Sequence, residues 1–212
     1  PFANDDRVSL SFRGDGVAHV RLVRPDKLNA IDGAMIERLL AVGHALHQLQ
    51  GLRAVVLAGE GGGFCAGLDL AAFASPDALD VDHLAERTHG NANRFQQLAM
   101  QWRKLPVPVI AAVHGVCFGC GLQIAAGADI RVAAPDARMA IMEMKWGIVP
   151  DMGGHVLWRG LVRDDVLREL TYTNREFSGE EAVSLGFATL TDIAPVERAG
   201  EIATLIANRN PH

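Results

Sequence analysis

Residues 113–129 read VHGVCFGCGLQIAAGAD. The stretch combines a C-x-x-C pair (Cys117, Cys120), four glycines and a single amide, Gln123, and it carries no formal charge before Asp129. Pieces of it suit four different chemistries: a thiol redox or zinc motif, a phosphate cradle, a membrane span, or a strand that turns into a helix beside a cleft. Each makes its own demand on the neighbouring residues.

A redox C-x-x-C exposes its first thiol at a helix start with polar support. Val116, Phe118 and Leu122 supply none here. A zinc site takes about four ligands. Cys65 and His114 could be recruited, but there is no second C-x-x-C and no H-x-x-x-H. Small buried thiols are the simpler reading, and no metal site is expected. A Walker loop needs G-x-x-x-x-G-K-[ST], which is missing, as is the G-x-G-x-x-G of dinucleotide folds. The uncharged run from Leu105 to Ala128 is 24 residues long, but Pro106, Pro108 and four glycines break it. That pattern predicts a buried strand, a turn and a helix, with no membrane span.

A strand entering a glycine turn that opens a helix points bare backbone N–H groups into a cleft, an arrangement that favours developing negative charge. FCAGLDL (64–70) is a second such turn after a buried strand. Two N–H donors converging from two loops make an oxyanion hole.

Outward from this centre, the same alternation repeats. VSLSFRGDGVAHVRLVR is expected to form a β-hairpin about Gly14-Asp15-Gly16. Asp32 is placed to cap an amphipathic helix running to about Gln50, with Met35, Leu39, Val42 and Leu46 on one face. RAVVLAG (53–59), VPVIAAV (107–113) and IRVAAP (130–135) read as strands, as does the segment around Met139–Met144. Part of Ser75 to Lys104 is expected to be helical, as is Gly119 to Ala126. Ser178-Gly-Glu-Glu181 reads as a capping box opening a helix that ends near Gly186. The class is α/β with repeated units. Residues 1–190 are expected to form the core, and 191–212 to begin a C-terminal helical region whose remainder is missing.

At 212 residues the chain can bury one substantial core. The net charge of −5 without a Lys/Arg cluster argues against nucleic acid as a partner. Three cysteines are too few, and odd in number, for a disulfide framework, so a reducing cytoplasm is expected. PFANDDRVSLSF has neither the basic nor the apolar region of a signal peptide.

Taken in order, RPDKLNAID (24–32), FCAGLDL (64–70), PVIAAVHGVCFGCGLQIAAGADI (108–130) and MKWGIVPDMGG (144–154) resemble the crotonase, or enoyl-CoA hydratase/isomerase, superfamily, from about Ser9 to Phe187. The resemblance implies a spiral of ββα units that binds an acyl-CoA thioester and forms homotrimers or homohexamers. It implies no separate cofactor, coenzyme A being part of the substrate. The thioester-polarising N–H groups would be those of Leu68 and Cys120, where members usually carry Gly at the latter position. Arg24, Lys27, Ala66, Gly67, Asp69, Leu70 and Gly121 match positions that surround the bound thioester and its nucleotide, although Arg24 and Lys27 also fit as solvated residues before a helix.

Hydratases of the family use two glutamates. The first falls at Gln123, whose amide can orient water but cannot take a proton. The second falls at Glu143, and Asp151 follows eight residues later. That pair resembles the dienoyl-CoA isomerase branch, which carries a carboxylate at the Gln123 position as well. Isomerisation by Glu143 and Asp151 with Gln123 as a polar positioner is the expected activity. Hydration of a trans-2-enoyl-CoA, displacement by Asp151 acting as nucleophile, and a non-catalytic CoA-binding role are the alternatives. Asp151 also fits as a helix N-cap, Gln123 as a core amide, and Trp146 and Trp158 as core ahead of walls of an acyl pocket.

Overall fold

The computed structural model of the chain describes residues 2–12, 14–74 and 84–209. β1 (Val8–Phe12) and β2 (Val17–Leu22) pair antiparallel across Gly14 and Gly16, which hold φ of 81° and 88° as a tight hairpin requires. α1 (Gly33–Gln48) starts where expected, the Asp32 carboxylate accepting from Met35 N at 2.8 Å. β3 (Ala54–Gly59) and β4 (Gly63–Cys65) follow, then the short α2 (Leu70–Phe73) and α3 (Arg94–Lys104). The reciprocal Asn93–Gln96 capping box starts α3 only at Arg94. The helix expected within 75–104 therefore occupies its last eleven residues, and residues 75–83 lie outside the described residues.

β5 (Val109–Val113), β6 (Val116–Phe118) and α4 (Cys120–Ala126) are what the run from 105 to 128 becomes. β7 (Ile130–Ala133) and β8 (Arg138–Ala140) come next. The strand expected to reach Met144 ends at Ala140, because Glu143–Trp146 wind into a 3₁₀ turn closed by Gly147 at φ 72°. α5 (Gly154–Trp158), α6 (Asp164–Thr173), β9 (Phe177–Ser178), α7 (Gly179–Leu185), β10 (Leu190–Thr191) and α8 (Pro195–Ala207) complete the order. Only half of the second capping box forms. Ser178 accepts from Glu181 N, while the Glu181 carboxylate pairs with Arg175 at 2.9 Å.

Two sheets share these strands. One has the order β1-β2-β3-β5-β7-β10 and the other β4-β6-β8-β9. Consecutive strands alternate between sheets, β3 to β4, β5 to β6, β7 to β8, with a helix before each return. That is the spiral of ββα units. Every pairing from β2 to β10 in the first sheet is parallel. β3 and β5 are buried along their whole length because both faces are covered. Val55, Leu57, Val109 and Ala111 face the main core with α1 and α3, while Val56, Ile110 and Ala112 face Ala199 and Ala203 of α8. α8, which begins four residues into the expected C-terminal region, thus closes the second face of the sheet. Among the described residues no helix is long and apolar enough to cross a membrane.

Candidate active site

The second sheet positions the site. β4 and β6 run parallel with Cys65 opposite Cys117, so the turns that leave them, 66–69 and 119–120, emerge side by side. Their approach depends on glycine. A Cβ at Gly67, whose φ is 99°, would sit 3.0 Å from the Phe118 carbonyl oxygen, and one at Gly121 would sit 2.6 Å from that of Cys65. Gly121 is buried within this contact, so it acts on the site by letting two backbones meet.

Leu68 forms a parallel bridge with Ile31 in which Ile31 N donates to Gly67 O at 2.8 Å and Asp69 N donates to Ile31 O at 2.9 Å. In such a bridge the N–H of the central residue faces away from its partner. Leu68 N therefore points off Ile31. Cys120 is the first residue of α4, and its N–H precedes any intrahelical acceptor. Gly119 makes that start possible, with φ 51° and ψ −117°, a backbone that side chains disfavour.

Glu143 lies beside this turn. A Cβ at Gly119 would be 3.4 Å from Glu143 Oε1, and the residue is 6% exposed. Gln123 Nε2 donates to Glu143 Oε1 at 2.6 Å, and Gln123 Oε1 accepts from Gly154 N at 2.9 Å. The Gly154 N–H fixes the amide's orientation, so Gln123 can only donate to the carboxylate. Among the described residues, Glu143 Oε2 has no hydrogen-bond partner. Burial raises the Glu143 pKa above the usual 4.5. The Asp151 charge adds to the rise, against the pull of the Glu143 and Met142 N–H groups and the Gln123 amide.

Asp151 is exposed, and no hydrogen bond joins it to Glu143. It does not cap α5, whose N-cap is Gly153 at φ 94°. The Asp151 charge acts on Glu143 without a hydrogen bond between them. Cys117 and Cys120 are buried and free. A hydrogen bond with Cys65 comes first among the causes that lift the Cys120 thiol well above its usual pKa, followed by burial and by the Glu143 charge. For Cys117 the cause is burial, then Cys65. These are neutral packing thiols.

The expected nucleotide ligands divide. Lys27 is exposed on a 3₁₀ turn (Pro25–Lys27), Leu70 is 58% exposed, and Ala66 is half-buried with its N–H donating to Leu28 O at 2.9 Å. Arg24 and Asp69 instead pair with each other at 2.6 Å. Asn29, unassigned from sequence, is fully buried and ties this loop to the next, accepting from Arg24 N and donating to Glu60 O and Gly63 O. Its φ of 57° is the left-handed conformation that asparagine tolerates, the one signal by which the sequence could have disclosed it. Of the tryptophans, Trp158 is core as expected. Trp146 is not, at 46% exposed, because the 3₁₀ turn aims it outward.

The model of the enoyl-CoA hydratase/isomerase family matches residues 13–207. A Delta(3,5)-Delta(2,4)-dienoyl-CoA isomerase of Rattus norvegicus is 31% identical over 88% of this chain and 58% of its own length, so the chain spans little more than half of that relative. A carnitinyl-CoA dehydratase of Proteus mirabilis is 34% identical over 95% of the chain and 75% of its own. The crystal structure of an enoyl-CoA hydratase from Bacillus anthracis superposes with a TM-score of 0.86, at 29% identity, over 97% of the chain and 78% of its own. With spiral, paired turns and sequence match in agreement, the chain belongs to the enoyl-CoA hydratase/isomerase family, of crotonase fold.

Proposed function

We propose that the protein isomerises a double bond in an enoyl- or dienoyl-CoA. Leu68 N–H and Cys120 N–H polarise the thioester carbonyl. One carboxylate of the Glu143–Asp151 pair then takes a proton from the acyl chain, which leaves an enolate held by the two donors. A proton returned at another carbon completes the shift with no change in composition. Fixed donors bind the enolate more strongly than the ground-state thioester, and each such donor is worth about 3–4 kcal/mol. Lys27, Ala66 and Leu70 border the path of the nucleotide in this reading. Coenzyme A enters as part of the substrate, and no further cofactor is invoked.

Asp151, a second carboxylate eight residues after Glu143 whose charge acts on it, carries the choice of isomerisation. Gln123 departs from both branches: its carbonyl is taken by Gly154 N and its amino group by Glu143, so it positions Glu143 and takes no proton. Hydration by Glu143 acting alone is the second reading, supported by the relatives named as a hydratase and a dehydratase.

The deciding experiment offers the full-length protein trans-2-enoyl-CoA and 3,5-dienoyl-CoA substrates in heavy water, with the CoA products weighed by mass spectrometry. The expected product is heavier only by deuterium. A product carrying one added water would replace isomerisation with hydration, and no product with no deuterium uptake would leave a CoA-binding protein without catalysis.

A further inference from the structure

Arg24 matches a position expected near coenzyme A phosphates, yet its charge is already committed. Its Nη1 donates to Asp69 Oδ2 at 2.6 Å and to the Ala30 carbonyl at 2.9 Å, and its Nη2 lies 3.5 Å from Asp32 Oδ2. Arg7 supplies Asp32 with a second cation, its Nη2 at 3.0 Å from Oδ2. The four side chains form an alternating Arg7–Asp32–Arg24–Asp69 row, neutral in sum and 13–21% exposed. Pairs this enclosed are less screened than surface ones, and removing one partner strands the other.

Asp69 is the residue after Leu68. Its backbone N–H is held by Ile31 O, its Oδ1 accepts from Ala71 N at 2.8 Å, and its Oδ2 is gripped by Arg24. Leu68 is thus fixed from both sides, through Ile31 and through Asp69. Ile31 itself follows Ala30, whose carbonyl Arg24 also holds.

We propose that Arg24 is a positioning residue for the Leu68 N–H, acting through Asp69 and the Ala30–Ile31 backbone, and not a ligand of the coenzyme A phosphates. The proposal rests on the reading of Leu68 as a thioester donor. A donor must lie within a few tenths of an ångström of its place to favour the enolate, so a loosened Asp69 costs turnover more than binding.

The test compares wild type, Arg24→Lys and Arg24→Met in the full-length protein on an acyl-CoA and on the matching acyl-pantetheine thioester, which lacks nucleotide and phosphates. Lysine keeps a cation for a phosphate but cannot span Asp69, Asp32 and the Ala30 carbonyl together. Both variants are expected to lower kcat by about 10–100-fold on both thioesters, with KM little changed. Asp69→Asn should add little to Arg24→Met, as two residues in one network do. Amide exchange at Ile31 and Asp69 should quicken at least 10-fold in Arg24→Met, with β3 unaffected. A raised KM for the CoA substrate alone, with kcat on acyl-pantetheine and amide exchange unchanged, would overturn the proposal. If wild type turns over neither thioester, the isomerase reading falls, and the exchange measurement still decides whether Arg24 holds residues 67–69.

Discussion

Glu143 answers two opposed demands. As a proton acceptor it must ionise, yet burial favours its neutral form and lifts its pKa. A base with a raised pKa gives a rate that climbs with pH through a midpoint above 4.5, and a kcat–pH profile measures it. Because the folded state holds the proton more tightly than the unfolded chain, Glu143 weakens folding as pH rises from the ordinary value through the folded one. Glu143→Gln removes that cost. It should lower kcat by about 10²–10⁴-fold and raise Tm at neutral pH, the Tm gain fading below pH 4.5. An unchanged kcat would remove Glu143 from the reaction. Glu143 and Gln123 were legible as candidates from their place in the motifs. Which way the Gln123 amide points was not, because Gly154 lies thirty-one residues further along the chain.

At the scale of elements, the site is a product of close packing between two turns. Gly121 in α4 touches β4 where a side chain has no room. Gly121→Ala must push α4 off Cys65, and overpacking of this kind costs about 1–3 kcal/mol. Urea unfolding should show the unfolding free energy falling by that amount and the midpoint falling with it, with activity falling too as Cys120 N–H moves. Full activity with native stability would show that the turns tolerate separation. Element identity was legible wherever hydrophobic period and caps agreed, as for Asp32 and α1. It failed at 141–144, where apolar residues continue the strand pattern but the chain leaves the sheet after Ala140. It half-failed at Ser178, where Arg175 competes for Glu181.

The whole molecule leaves apolar side chains outside. Met144, Trp146, Ile148 and Val149 follow Glu143 on one exposed run at 41–60% exposure, and Val156 of α5 reaches 68%. Contiguous exposed apolar surface marks an interface. The proposed homotrimer or homohexamer would cover it, in a protein proposed to act in the cytoplasm. Sedimentation of the full-length protein should give three or six times the chain mass, and Trp146→Glu should shift it toward the monomer. A monomeric wild type would overturn the assembly.

The α/β class, the order of the repeats and the two glycine turns can be read from the residues, because period-two and period-3.6 burial, caps and positive-φ residues are local properties. The sequence also marks which residues can carry protons. What those residues are bound to emerges when the chain has folded. Arg24 looked like a free cation until Asp69, forty-five positions away, was brought against it. Charges and amides take their roles from neighbours that strand pairing delivers, and no local pattern encodes those neighbours.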